Sequence, residues 1–310
     1  MSFLIVSPGR DPQPWLEALK NQHPGLNIYV YPEDHDKEEV EFALAWNHPR
    51  GLFKNYPNLK VVASMGAGVD HITSDKELPE NIKITRVIDQ QLTTDMSDFV
   101  LALVMSHLRK LSSYKSQQTE KAWDRHNTYK RPKNTTVGIM GVGVLGTAVG
   151  EKLAKNGFNV LGWAKSDKDK KDINTYCGED GLEEFLPQVE VLVCLLPLTP
   201  ATENILNREL FEKLPEGAYV INVARGEHLV EQDLLRMIGN GHLSGAALDV
   251  FREEPLPEEH PFWTNTQILI TPHIASVTKA SSVVPQIIEN YERLQEEEPL
   301  KNVVERDKGY

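Results

Sequence analysis

An arginine, a glutamate and a histidine stand in three separate stretches of this chain. Each comes soon after a run with strand character: Arg225 after residues 219–223, Glu254 after 246–250, and His273 after 268–271. In open parallel sheets, ligands bind beyond the carboxyl ends of the strands, so the three fall on one side of one sheet. An arginine can hold a carboxylate in two parallel charge-assisted hydrogen bonds and polarise the carbonyl next to it. A histidine can give a proton to that carbonyl oxygen while hydride arrives from a nicotinamide. A carboxylate beside the ring favours the charged imidazolium. Together the three suit reduction of a 2-keto acid.

The cofactor has its own candidate site. The stretch Thr136-Val-Gly-Ile-Met-Gly141-Val-Gly143-Val-Leu-Gly146 is a short apolar run that feeds a G-x-G-x-x-G turn, with helix-compatible sequence after it. Strand, glycine turn and helix N-terminus make a dinucleotide pyrophosphate site, with Val144 and Leu145 opening the helix. The helix N-terminus offers N–H groups and a positive dipole end to the anion. Reading past the later strands adds Ala164, Lys165 and Ser166, then Leu196, Pro197 and Thr199, then Val223, Ala224 and Arg225. Asp249 follows, and finally His273, Ala275 and Ser276. NAD-preferring sites carry an acid at the end of the second strand, and that position falls on Ala164. Lys165 supplies a cation and Ser166 a hydroxyl for a 2′-phosphate. Lys168 is a further cation, set against Asp167 and Asp169. NADP(H) is therefore the preferred cofactor, with NAD(H) as the alternative.

These residues require elements to hold them. Strand-like runs at 3–6, 27–31, 42–46, 60–64 and 83–86 alternate with helical segments, which implies a parallel sheet covered by helices. A helical pattern at 95–121 carries Met96, Phe99, Val100, Leu103, Val104, Leu108 and Leu111, and its apolar stripe is a candidate dimer contact. A second alternating unit has strands at 136–140, 159–163, 191–196, 219–223, 246–250 and 268–271. A last helix at 281–295 is expected to pack back on the first unit. The expectation is two doubly wound α/β domains: residues 1–98 with 280–310, and residues 99–279.

Composition narrows the function further. With 310 residues, 40% hydrophobic and 25% charged, the chain reads as a soluble protein of about two domains. A net charge of −12 argues against general nucleic-acid binding, which needs a basic face. Cys177 and Cys194 do not make a disulfide framework, and Cys194 lies in the apolar run 191–196 as a core residue. No metal-ligand set is expected. The first residues read as a strand, not a signal peptide, and no apolar run approaches the ~20 residues of a membrane span. A cytoplasmic protein without membrane partners is expected.

The motifs together resemble the D-isomer-specific 2-hydroxyacid dehydrogenases. The segments that match are Ser64-Met-Gly-Ala-Gly-Val-Asp70, residues 138–146, Leu196-Pro-Leu-Thr-Pro200, Ile221-Asn-Val-Ala-Arg-Gly226, Ala247-Leu-Asp-Val-Phe-Arg-Glu-Glu-Pro-Leu256 and Thr271-Pro-His-Ile-Ala-Ser276. Within the family, Phe42-Ala-Leu-Ala-Trp46 and Val304-Glu-Arg-Asp-Lys-Gly-Tyr310 are similar to the glyoxylate/hydroxypyruvate reductase A group. The resemblance implies a flavodoxin-like substrate domain and a Rossmann domain with a cleft between them, hinge closure, and a homodimer. It implies that Arg225 binds and polarises the substrate, His273 donates the proton, and Glu254 pairs with His273. It also implies that backbone N–H groups of Met65, Gly66, Ala67 and Gly68 hold the substrate carboxylate. Trp46 either walls the substrate pocket or packs in the core. Glyoxylate and hydroxypyruvate are the expected substrates. Two alternatives stand beside this reading: a 3-phosphoglycerate dehydrogenase-like enzyme, and a non-catalytic NAD(P)(H) sensor on the same fold.

Overall fold

The structure is a computed structural model and describes residues 2–125, 129–166, 173–306 and 309. Asp167, Lys168 and Asp169, and three residues of the closing segment, lie outside the described residues.

The elements begin with β1 (Ser2–Val6), α1 (Gln13–Gln22), β2 (Asn27–Val30), β3 (Val40–Ala45), β4 (Val61–Ser64), α2 (Asp70–Thr73) and β5 (Lys83–Thr85). Next come α3 (Gln90–Leu108), α4 (Leu111–Glu120), β6 (Thr136–Met140), α5 (Val144–Lys155), β7 (Asn159–Ala164), β8 (Asn174–Cys177) and α6 (Gly178–Phe185). The chain continues with β9 (Val191–Cys194), α7 (Arg208–Lys213), β10 (Ala218–Asn222), α8 (Glu231–Gly239), β11 (Leu243–Leu248), β12 (Ile268–Ile270) and α9 (Ala280–Gln295). The chain divides into two compact units, Met1–Leu92 with Thr278–Tyr310, and Thr93–Val277.

In the first unit all strands are parallel, in the order β2-β1-β3-β4-β5, which is the flavodoxin-like order. Parallel strands covered on both faces read as continuous apolar runs, and β1 is buried along its whole length. Phe3 and Ile5 face one core with Phe42 and Leu44, closed by Val283, Val284, Ile287 and Ile288 of α9. Leu4 and Val6 face the other core with Phe53, Tyr56 and Ile72. Phe3 stacks on Phe42 with ring centres 5.1 Å apart, and Tyr291 meets Phe42 edge-on at 6.0 Å. After α9 the chain returns along the edge of this sheet. Val304 N–H donates to Ile84 O at 2.9 Å, Val303 bridges Thr85, and the Arg306 guanidinium donates to Pro79 O at 2.8 Å. This segment covers the open edge of β5.

The second unit is a parallel sheet in the order β12-β11-β10-β9-β6-β7-β8. Counted from β6, this is the Rossmann order with one strand added beyond the sixth. Chain direction across the sheet reverses between β6 and β9, and the crevice beyond their carboxyl ends is the expected ligand position. Met96, Val100, Leu103, Val104 and Leu108 of α3 pack on Val137, Ile139, Val191, Val193 and Ile221.

Three expectations about elements need correction. The helix expected at 95–121 is two helices, broken where Lys110 takes a left-handed conformation with φ 54°. A left-handed residue is a normal helix stop, and the apolar pattern running on to Leu111 hides it. The apolar stripe expected at a dimer contact is spent largely on this unit's own core. Edge strand β8 has no counterpart in the expectation, because Asn-Thr-Tyr-Cys carries no apolar alternation.

Candidate active site

His273, Glu254 and Arg225 all lie past the carboxyl ends of strands in the second unit. His273 Nδ1 and Glu254 Oε2 are 2.8 Å apart, with the side chains 38% and 36% exposed. The second carboxylate oxygen accepts the Phe251 N–H at 3.0 Å, so Glu254 is oriented from both sides. Partial burial pushes the Glu254 carboxyl up. The His273 hydrogen bond, the Phe251 N–H and the positive charges of His273 and Arg225 outweigh that and hold it below its ordinary value. With Nδ1 tied to a carboxylate, Nε2 is the ring atom left for proton exchange. Arg225 is half-buried, and its Nη1 donates to the Ala224 carbonyl at 2.7 Å.

The backbone that carries these residues is held by polar side chains buried beneath it. Asp249, 1% exposed, is one of them. It accepts Thr271 Oγ1–H at 2.6 Å, Ile274 N–H at 2.9 Å and Ala275 N–H at 2.8 Å. His273 N–H donates to Asp249 O at 2.8 Å, and His273 sits at φ 52°. Asp249, expected as a cofactor contact, is thus placed with its carboxylate turned to the histidine turn. Asn222 accepts Ala224 N–H at 3.2 Å and donates to Arg225 O at 2.8 Å. Residue-type reasoning passed over Asn222 and His228. Asn222 has a signal, a polar residue inside an apolar stretch, whereas His228 follows Arg225-Gly226-Glu227 and has none.

The glycine turn has the shape its spacing requires. Gly141 adopts φ +103°, which favours glycine, and a Cβ at Gly146 would sit 1.9 Å from Gly141 O. A Cβ at Gly143 would meet no protein atom within 4 Å, so packing within the chain does not demand glycine there. Glycine at that point leaves room for a group that approaches the backbone itself. Val144 is exposed and Leu145 half-buried at the start of α5. Ala164 closes β7, and Lys165 and Ser166 follow it exposed. Leu196, Val223, Ala224 and Ala275 are buried, while Pro197, Thr199 and Ser276 are half-buried at the same end of the sheet. This donor set, without an acid at the end of β7, fits a dinucleotide carrying a 2′-phosphate.

In the first unit, the turn after β4 is built from backbone. Met65 N–H donates to Ala45 O at 3.1 Å and Gly66 N–H to Ser64 Oγ at 3.1 Å. Among the described residues, Ala67 and Gly68 N–H have no acceptor, so they are the turn's available donors. The Met65 side chain is 2% exposed and belongs to the core beneath the sheet. Trp46 is half-buried, with His71 against it at 4.6 Å between ring centres and the Arg10 guanidinium 4.2 Å over its ring. A Cβ at Gly66 would come within 2.9 Å of the Trp46 ring, so the indole lies directly against the turn. Trp46 is thus packed on one side and partly open on the other.

The family model for the D-isomer specific 2-hydroxyacid dehydrogenase NAD-binding domain matches residues 101–275. The chain belongs to that family. A glyoxylate/hydroxypyruvate reductase A from Photorhabdus laumondii is 37% identical over 100% of both chains. The family's fold extends over the whole chain. A D-isomer specific 2-hydroxyacid dehydrogenase from Xanthobacter autotrophicus, solved with NADPH and MES, has a TM-score of 0.95 at 37% identity, covering 100% of this chain and 99% of that one. An NADPH-dependent glyoxylate/hydroxypyruvate reductase from Sinorhizobium meliloti, solved with NADP and sulfate, has a TM-score of 0.92 at 35% identity and 100% coverage of both.

Proposed function

We propose that this 2-hydroxyacid dehydrogenase reduces small 2-keto acids, glyoxylate and hydroxypyruvate first among them, with NADPH in preference to NADH. The observation that carries the reading is the His273–Glu254 pair at 2.8 Å beyond the sheet end that also bears Arg225. Arg225 binds the keto acid and draws electron density from its carbonyl. His273, its Nδ1 held by Glu254, gives the Nε2 proton to the carbonyl oxygen. The Ala67 and Gly68 N–H groups form a cradle for the substrate carboxylate. The bound reduced nicotinamide supplies the hydride. Gly141, Gly143 and the α5 N-terminus receive the pyrophosphate, and Lys165 and Ser166 the 2′-phosphate. Relatives solved with NADPH or NADP support that choice.

We also infer a cytoplasmic homodimer. No helix of the described residues is long and apolar enough to cross a membrane. Leu111, Tyr114, Trp123 and Tyr129 are exposed large side chains within one short segment, with Trp123 89% exposed. Such clustering marks an association surface.

Arg225→Ala and His273→Ala test the mechanism. Each should lower kcat/KM by about a thousandfold while NADPH affinity stays within about twofold. Normal turnover in both variants would sink the assignment of roles.

A further inference from the structure

His228 is fully buried, 0% exposed, and lies between two turns. Its Nδ1 is 3.2 Å from the Arg225 carbonyl oxygen and its Nε2 3.3 Å from the Pro197 carbonyl oxygen. Carbonyl oxygens only accept, so the ring N–H donates to one of the two carbonyls, and the ring is seated between both. One turn carries Arg225. The other is the Leu196–Thr199 turn past β9. The last backbone bond along this edge of the two strands is a long one, Val223 N–H to Cys194 O at 3.4 Å. Each carbonyl has a second donor: Asn222 Nδ2 on Arg225 O at 2.8 Å, and Thr202 Oγ1 on Pro197 O at 2.7 Å.

We propose that His228 is a positioning residue that fixes the arginine turn against the Pro197 turn, and so sets keto-acid binding and cofactor binding together. The proposal rests on the reading of Arg225 as a substrate ligand and of the Pro197 turn as a cofactor contact. The physical reason is tolerance. A guanidinium must sit within a few tenths of an ångström to use both of its hydrogen bonds, and a small misplacement costs much of the binding. A flexible turn cannot supply that precision, whereas a rigid buried ring wedged between the two carbonyls can. Removing the ring leaves neither carbonyl without a partner, because Asn222 and Thr202 remain. The fold should therefore survive the substitution while the spacing of the turns relaxes.

The test compares the wild-type enzyme with His228→Leu, His228→Gln and Arg225→Lys, using glyoxylate and NADPH. His228→Leu removes the ring's polar contacts to both turns, and should raise the KM for glyoxylate and the KM for NADPH together by about five- to tenfold. His228→Gln has an amide that reaches one carbonyl, and should recover one of the two values. A merely structural role would lower the active fraction, and so kcat, with both KM values unchanged. A folded His228→Leu with both KM values within about twofold of wild type overturns the proposal. Should His228→Leu fail to fold in a thermal scan, His228→Gln decides, and no change in either KM overturns it. Arg225→Lys is the control. It should raise the glyoxylate KM and spare that of NADPH; failure there overturns the reading of Arg225 and the substrate half of this proposal. NADPH dissociation constants from fluorescence read the cofactor half without turnover, and an unchanged constant in His228→Leu overturns that half.

Discussion

Glu254 governs how the His273 ring is turned. Held below its ordinary carboxyl value by its hydrogen bonds and neighbouring cations, it stays anionic through the neutral range. Its Oε2 lies 2.8 Å from His273 Nδ1, which fixes the ring with Nε2 left to donate. Glu254→Gln keeps the shape and removes the charge. Its kcat/KM for keto-acid reduction should fall by about tenfold or more while the KM for NADPH stays within about twofold. Steady-state kinetics with each substrate varied checks this, and an unchanged kcat/KM would show that the carboxylate does not act through its charge. Arg225, Glu254 and His273 were legible in the sequence because their side-chain chemistry names a reaction and each follows a strand. Asp249 was legible as a polar residue past a strand, but its bonds to Thr271, Ile274 and Ala275 were not, since those donors stand in a turn far along the chain. Buried Asn222 and His228 were not read from the sequence, because their bonds go to backbone groups, and backbone partners leave no pattern of residue types.

Elements were legible where hydrophobic period and turn chemistry agreed. Apolar β1, β6 and β9, and the glycine turn before α5, follow from residue type alone. β8 and the break at Lys110 did not, one for want of apolar alternation and the other because the helix stop falls inside a continuous apolar pattern. The loop after β3 holds a further device that sequence pattern does not show. His48 Nε2 lies 3.1 Å from Asp75 Oδ2, and Asp75 also accepts the Gly51 and Glu77 N–H groups, both at 3.0 Å. Burial pushes His48 below its ordinary 6.5, and the Asp75 hydrogen bond only partly offsets this. Burial would raise Asp75, but its hydrogen bonds hold it below 3.8. A folded histidine with a lowered pKa resists the proton that the unfolded chain accepts. Stability should therefore fall as pH drops below about 6.5, with a slope of at most about 1.4 kcal/mol per pH unit from this group. Calorimetry between neutral pH and mild acid should show Tm falling, and falling less steeply in His48→Gln. Equal slopes in the two proteins would assign the acid sensitivity elsewhere.

A whole chain of net charge −12 needs a neutral or apolar region if it is to self-associate. Leu111, Tyr114, Trp123 and Tyr129 are large exposed side chains in one stretch of the sequence, and we take that stretch as the candidate region. Sedimentation equilibrium should give a dimer for the wild type, and a shift toward monomer for Trp123→Glu with Leu111→Glu. A dimer unchanged by that pair would move the interface to another face. The family was legible across the full length because its motifs fall in order along the chain, whereas the association surface had been placed on a stripe that α3 uses in its own core. The most direct test of the account is the rate at which purified protein oxidises NADPH with glyoxylate or hydroxypyruvate, set against the rate with NADH. The account predicts rapid oxidation that depends on the keto acid and is faster with NADPH than with NADH by about tenfold or more, as charge-assisted bonds to one phosphate allow. Tight NADPH binding with no turnover of either keto acid would contradict it.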